Sequence, residues 1–155
     1  MNKVFNFVLL TSLFILLTGF SYQKHLKLQE VHTTINQAQK TIRYDLRIKN
    51  TSNKVIGNQF DYPGYHYGGL EVVVVPGEKL EKYMIMMDKT KYKKMQHSGF
   101  GGHSTINPYE TSNFHAEYFF KDIKDLEKLK QHALDGKIII LDGAKVIAEL
   151  QLKKE

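Results

Sequence analysis

The chain has 155 residues, a length typical of one domain, and it contains no cysteine. Disulfide bonds and a lipid-bearing cysteine are therefore excluded, so a hydrophobic core must hold the fold by itself. The formal net charge is +6, an excess of basic side chains that favours polyanionic partners in general.

The first 21 residues predict a secretory signal peptide. A single cation, Lys3, precedes an apolar run over residues 4–17, and small residues follow at Gly19 and Ser21. Cleavage after Ser21 would leave a mature domain of residues 22–155. The alternative is an uncleaved membrane anchor, for which the run is short because a membrane-spanning helix needs roughly 20 apolar residues.

The export signal, the absence of cysteine and the abundance of lysine are together typical of envelope proteins of Gram-positive bacteria. In that location the expected polyanions are wall polymers and lipid head groups, and nucleic acid is not an expected partner. Contact with the membrane is expected only through the N-terminal segment, if that segment is not cleaved.

Most of the mature part is predicted to form short β-strands. In residues 41–49 apolar and charged side chains alternate, which places Tyr44 and Leu46 on one buried face. Residues 70–75 are apolar on both faces and predict a central strand. Asp142-Gly143 between two apolar runs predicts a hairpin with a type I′ turn. The eight predicted strands cover residues 25–35, 41–49, 55–60, 70–75, 79–87, 111–120, 137–141 and 144–152.

Residues 121–136 break the strand pattern and predict one α-helix in the C-terminal half of the chain. Asp122 is expected to cap its start, and Gly136 follows its end. The apolar stripe is narrow, so the helix is expected to cover one edge or end of the β-structure. Its apolar side chains recur at spacings of three and four residues: Ile123, Leu126, Leu129 and Ala133.

Short strands separated by turn signals predict an all-β fold, an antiparallel β-sandwich of about seven to eight strands. Two stretches, YDLRIKNTSNKVI and INPYETSNFHAEYFF, add a family resemblance. A strand runs into a polar N-x-S turn, and later turns of the P-G-E and P-x-E-T kind precede an alternating strand. The pattern, over residues 41–152, resembles the immunoglobulin-like domains of small secreted Gram-positive bacterial proteins. The resemblance implies an immunoglobulin-like sandwich and no particular site.

The stretch MQHSGFGGHSTI, residues 95–106, contains three glycines between two histidines. It does not match a dinucleotide-binding loop, because Ser104 occupies the last glycine position and no helix pattern follows. It lacks the Gly-Lys-Ser/Thr ending of a phosphate-binding loop, and Ser98 lacks the preceding glycine of a nucleophile elbow. We therefore expect no enzyme and no cofactor. The glycines are expected to give the backbone positive φ angles.

Two loops are the expected ligand-binding surfaces. Residues 90–108 are long for a connection between strands, and they carry His97, Phe100 and His103. The second loop, FDYPGYHYGG at residues 60–69, is rich in tyrosine and glycine, which suits adaptable recognition of a protein or stacking on a sugar. Its candidate binding residues are Tyr62, Tyr65, His66 and Tyr67.

A metal site is an alternative interpretation of the first loop. Imidazole and thioether ligands suit Cu(I), and His97, His103 and Met95 lie close together in the sequence. No metal site is favoured, because methionines in apolar strands are more often core residues.

The leading hypothesis is an exported, non-enzymatic binding or accessory protein of the bacterial cell envelope. It would recognise an unknown protein or an envelope polymer such as a glycan through its two loops. The alternatives are a copper or other metal carrier and a protease inhibitor that presents a loop to a protease cleft.

Overall fold

The structure is a computed structural model that describes residues 22–57 and 69–153. The predicted signal peptide, residues 1–21, lies outside the described residues. Within the described ranges, no helix is long and apolar enough to cross a membrane.

Two antiparallel sheets make up most of the fold. Strands account for 53% of the structure and helices for 9%, which confirms the all-β class. One sheet has four strands in the order β1, β2, β7, β5, and the other has three in the order β4, β8, β9. A short pair, β3 with β6, stands apart. The strands are β1 (Leu26–Asn36), β2 (Thr41–Asn50), β3 (Ile56–Gly57), β4 (Leu70–Pro76), β5 (His97–Gly101), β6 (Thr105–Ile106), β7 (Thr111–Phe119), β8 (Gly136–Asp142) and β9 (Lys145–Gln151).

The core is continuous across the inner faces of both larger sheets, which gives the fold a sandwich-like character. The alternation predicted in residues 41–49 is confirmed, because Tyr44 and Leu46 are buried. The prediction that residues 70–75 form a central strand is wrong, since β4 lies at the edge of its sheet. It is apolar on both faces because Val72 packs into the main core while Val73 joins a second cluster on the other face.

The strand predicted at residues 79–87 is also wrong. It begins with a one-turn helix, α1 (Glu78–Glu81), and continues through isolated bridges at Met84 and Met86. The helix forms because the Asp135 carboxylate accepts hydrogen bonds from the N–H groups of Lys79 and Leu80, at 2.9 and 3.3 Å. These contacts satisfy backbone groups that the first helical turn leaves without partners.

The predicted C-terminal helix is present but shorter, as α2 (Leu126–His132). Its cap is Asp125, whose side chain accepts hydrogen bonds from the N–H groups of Glu127 and Lys128. Asp122, the expected cap, instead forms an ion pair with Lys40 at 3.3 Å. Leu129 and Ala133 are buried, whereas Ile123 and Leu126 pack against the core only in part.

The hairpin between β8 and β9 is confirmed, but its turn differs from the prediction. The two loop residues are Gly143 and Ala144, and only Gly143 has a positive φ, of 59°. A positive φ at the first loop position alone is the signature of a type II′ turn rather than a type I′ turn.

Two buried tyrosines join the four-stranded sheet to its surroundings. The Tyr118 hydroxyl accepts a hydrogen bond from the N–H of Val74, on the opposite sheet, at 2.8 Å. The Tyr44 hydroxyl donates to the carbonyl of Ala133, just beyond α2, also at 2.8 Å. Burial raises the pKa of both hydroxyls, so they stay protonated throughout the physiological range.

We predict that Tyr118→Phe lowers the free energy of unfolding by about 1–3 kcal/mol, because it leaves the buried Val74 N–H without an acceptor. Urea denaturation followed by circular dichroism measures this change. Tyr109→Phe is the control, because Tyr109 is 63% exposed and its stability effect should be near zero. Equal effects of the two substitutions would contradict a structural role for the Tyr118 hydroxyl.

Candidate functional site

The glycine-rich stretch is an edge strand rather than part of one long loop. Residues His97–Gly101 form β5, which pairs with β7, and β6 follows three residues later. The prediction of a single loop over residues 90–108 is therefore wrong. The sequence of β5 does not show the alternation of apolar and polar residues that marks other strands. Its glycines and a register shift between His97 and Gly99 hide that pattern.

Two of the three glycines make room for side chains on β7. A Cβ on Gly102 would overlap the ring of Phe114, and a Cβ on Gly101 would overlap the ring of His115. At Gly99 the nearest atom would lie 3.6 Å away, which is an ordinary contact. None of the three has a positive φ, so that expectation is wrong, and the requirement for glycine at Gly101 and Gly102 is steric.

The predicted site residue His97 packs inward. Its ring centroid lies 4.5 Å from that of the buried Tyr118, and both ring nitrogens are buried with no hydrogen-bond partner among the described residues. Burial lowers the pKa of His97, the charge of Lys93 lowers it further, and Glu71 opposes both effects. His97 is therefore a neutral packing residue in this conformation.

Phe100 and His103 lie at the surface, on one side of a small cleft. Phe100 is 67% exposed, and His103 is also exposed. The cleft, about 230 Å³ in volume, separates the end of β5 from the start of β4 and includes Leu70 and Phe114 in its lining. Sites for small-molecule ligands usually measure about 300–1,000 Å³. The size therefore suits a protruding group of a larger partner better than a free cofactor.

The second predicted loop joins the structure beside this cleft. Its candidate residues Tyr62, Tyr65, His66 and Tyr67 lie outside the described residues. The flanking positions Gly57 and Gly69 both approach Ser104 closely, and the Leu70 N–H donates a hydrogen bond to the Ser104 carbonyl at 3.1 Å. The bases of the two predicted loops therefore adjoin. We call residues 50–57, 69–72 and 100–110 the loop end.

The polar centre of the loop end is Asn50, whose side chain is fully buried. Its amide N–H groups donate to the carbonyls of Lys54, Ile106 and Asn107 at 2.7, 3.0 and 3.1 Å. Its side-chain oxygen accepts from both the N–H and the hydroxyl of Ser52 at 2.8 Å. Sequence analysis identified only a polar turn here. The available signal was an asparagine at a strand end with serine two residues later, the pattern of an Asx turn.

The P-x-E-T turn noted in the sequence lies at residues 107–110, and its left-handed residue is the second feature that sequence analysis missed. The Glu110 N–H donates to the Asn107 carbonyl at 3.2 Å, Pro108 is the second residue, and Tyr109 has a φ of 61°. These are the features of a type II turn, in which the third position favours glycine. A left-handed φ costs a residue with a Cβ about 1–2 kcal/mol. Tyr109 is nevertheless 63% exposed.

Exposed apolar side chains lie on the turns of the loop end and along the adjoining cleft. Among the described residues four large apolar side chains are exposed, and three of them are Val55 (46%), Phe100 (67%) and Tyr109 (63%). The fourth, Met87 (42%), lies in the connection between β4 and β5, which leaves from the other end of these strands.

The described residues do not provide a complete set of ligands for the alternative metal site. Met95 is fully buried and forms an isolated bridge with Met86, so its thioether belongs to the core. Residues 22–57 and 69–153 contain no group of three histidine, aspartate or glutamate side chains that could hold a metal ion.

A larger groove, of about 590 Å³, lies away from all these residues. It runs along β1 and is lined by Leu28, Val31, Leu134 and Leu152. The predicted site residues that the structure describes, His97, Phe100, His103 and Met95, do not line it. No protein-family model, curated protein or solved structure matches the chain.

We predict a graded response to alanine across the three glycines. Gly102→Ala should destabilise the fold most, by about 1–3 kcal/mol, because the buried Phe114 ring cannot move aside. Gly101→Ala should cost less, since the half-buried His115 can rotate, and Gly99→Ala is the matched control with an effect near zero. Thermal denaturation of the three variants measures the order, and equal losses at all three positions would contradict the steric explanation.

Proposed function

We propose that the protein is an exported, non-enzymatic binding module of the bacterial cell envelope, which recognises a partner through its loop end. The observation that carries this proposal is that, among the described residues, three of the four exposed large apolar side chains lie on the turns of the loop end or line the adjoining cleft. Exposed apolar groups that cluster on a rigid scaffold are typical of interaction sites.

We also propose an immunoglobulin-like topology of the constant type, and the strand order supports it. The seven strands of the two larger sheets are β1, β2, β4, β5, β7, β8 and β9 in chain order. The four-stranded sheet then reads first, second, fifth, fourth, and the three-stranded sheet reads third, sixth, seventh. Constant-type domains have the same order, A-B-E-D with C-F-G. The loop end then corresponds to the B–C and D–E connections.

A binding role fits the side chains at the loop end better than catalysis does. The surface there is formed by apolar and aromatic groups such as Phe100 and Tyr109, and the adjoining cleft is small. The nitrogens of His97, which a general base would need, are buried against Tyr118 and have no described partner. Recognition of a protein or an envelope glycan therefore remains the function that the geometry favours.

We also propose that the leader is cleaved before Tyr22. The chain first lies along β9, where the Tyr22 N–H donates to the Ile147 carbonyl at 3.0 Å, and then reaches the loop end, where the Thr51 N–H donates to the His25 carbonyl at 2.7 Å. A retained leader would therefore hold the loop end close to the membrane, whereas cleavage would leave it accessible.

We predict that the exported chain begins near Tyr22. Intact-mass measurement of the protein released by the producing cells determines its first residue. A chain that begins at Met1 and stays in the membrane fraction would instead support the anchor.

The proposed binding function is tested with Phe100→Ser. Met87→Ser is the matched control, because Met87 is also exposed but lies outside the loop end. The mature protein and both variants are immobilised, and partners captured from the solubilised native envelope are quantified by mass spectrometry. A central aromatic residue contributes about 1.4 kcal/mol or more to binding, so Phe100→Ser should reduce capture by about tenfold or more. Met87→Ser should not reduce it.

Both variants should melt at the temperature of the unmodified protein, since both side chains are largely exposed. Full capture by Phe100→Ser, or equal loss in Met87→Ser, would contradict recognition through the loop end.

A further inference from the structure

The strongest unexplained feature of the described residues is the backbone of Tyr109. Its φ of 61° is one of three positive values at non-glycine positions within residues 22–57 and 69–153, and the other two belong to Lys40 and Lys89. Tyr109 alone combines this left-handed conformation with a large, 63% exposed ring. Residues keep such conformations where the surroundings over-determine them, and such positions cluster at functional sites.

Four hydrogen bonds hold the turn that carries Tyr109, in addition to the one between Glu110 and Asn107 that closes it. The Tyr109 N–H donates to the Ser52 carbonyl at 3.2 Å, and the Glu110 carbonyl accepts from the Asn50 N–H at 2.9 Å. The Asn107 side chain donates to the Glu110 carboxylate at 3.0 Å, and the Asn107 carbonyl accepts from the buried Asn50 amide. The Tyr109 backbone is therefore held in place before any partner binds.

None of these contacts uses the Tyr109 ring, which projects from the tip of the turn. The ring is 63% exposed and takes no part in these hydrogen bonds, although its backbone has a conformation suited to glycine. Rigid aromatic side chains are the most frequent anchors of protein interfaces, because little conformational entropy is lost when they bind.

The shape of the surface distinguishes a protein partner from a glycan. The type II turn is convex. Val55, which is 46% exposed, follows the neighbouring turn of residues 50–54, where the Asn50 side chain donates to the Lys54 carbonyl. A convex aromatic tip beside an apolar side chain complements a concave apolar pocket. A sugar-binding site would instead surround its ligand with polar side chains, and the residues of this turn direct theirs into the turn itself.

We propose that Tyr109 is a preformed anchor that inserts into an apolar pocket of a partner protein. This inference rests on the proposed binding function and adds the class of partner and the residue that determines it. The strained backbone keeps the ring directed outward, and the Asn50 network maintains the strain.

The first test separates an effect of Tyr109 on binding from an effect on stability. Tyr109→Gly should raise the melting temperature of the full mature protein, because glycine adopts positive φ without strain. The same substitution should reduce capture of the envelope partner by about tenfold or more. Tyr109→Phe should keep both the melting temperature and most of the capture. A lower melting temperature for Tyr109→Gly, or unchanged capture, would overturn the proposal.

The second test identifies the class of partner. Photoreactive p-benzoylphenylalanine is placed at the position of Tyr109, of Phe100 or of Met87 in the full chain, in cells that produce the protein. Irradiation should give a discrete adduct from the Tyr109 position and none from the Met87 position. Protease digestion of the cross-linked partner should remove the added mass, and wall-hydrolysing glycosidases should not.

Removal of the added mass by glycosidases would overturn the proposal in favour of a glycan, and an adduct of twice the chain mass would overturn it in favour of a second copy. An adduct at the Phe100 position without one at the Tyr109 position would also overturn it, yet leave the proposed binding function intact. The absence of both adducts would contradict the two proposals together.

Discussion

The loop end depends on one buried amide, the side chain of Asn50. It lies where β2 stops pairing, and it supplies the hydrogen bonds that the strand no longer provides to the following turn and to residues 106–107. A buried polar group without a partner costs about 1–3 kcal/mol. The turn of residues 50–54 and the segment of residues 106–110 therefore form together, and the β3–β6 pair and the turn of Tyr109 form with them.

The remainder of the fold is held without disulfides by a core that includes polar groups in well-defined positions. In the part of the chain that the structure describes, β4 has no neighbouring strand on its outer side, and the Val74 N–H there donates to the Tyr118 hydroxyl. This contact links the two sheets and also blocks part of an edge that could otherwise pair with another chain. The Tyr118 ring also packs against His97, and the His97 ring contacts Phe100. These ring contacts link the core to β5 and to the surface at Phe100.

The sequence predicts those parts of the fold that depend on local patterns. Residues 41–49 and 111–119 alternate because one face of each strand is buried, and the Asp142-Gly143 pair marks a hairpin for local reasons. The failures have long-range causes. The helix α1 replaces a predicted strand because Asp135, distant in the sequence, caps it. Gly101 at the end of β5 and Gly102 just after it are required by His115 and Phe114 on the adjacent strand. The same limitation applies to the candidate site, for which the sequence suggested Phe100 and His103 as candidates but gave no sign of the left-handed backbone of Tyr109.

The contrast between Phe100 and Tyr109 shows how the fold can present two exposed rings in different ways. Phe100 lies on an edge strand, and its ring contacts His97 across 6.4 Å between centroids. Tyr109 has a backbone that is fixed by Pro108, by the turn hydrogen bond and by the Ser52 carbonyl, so its direction does not depend on contacts of the ring. A strain of about 1–2 kcal/mol is smaller than the stabilisation lost if the Asn50 hydrogen bonds were broken to relieve it. The left-handed turn therefore persists in the free protein, and a partner that accepts the ring does not have to order the backbone that carries it.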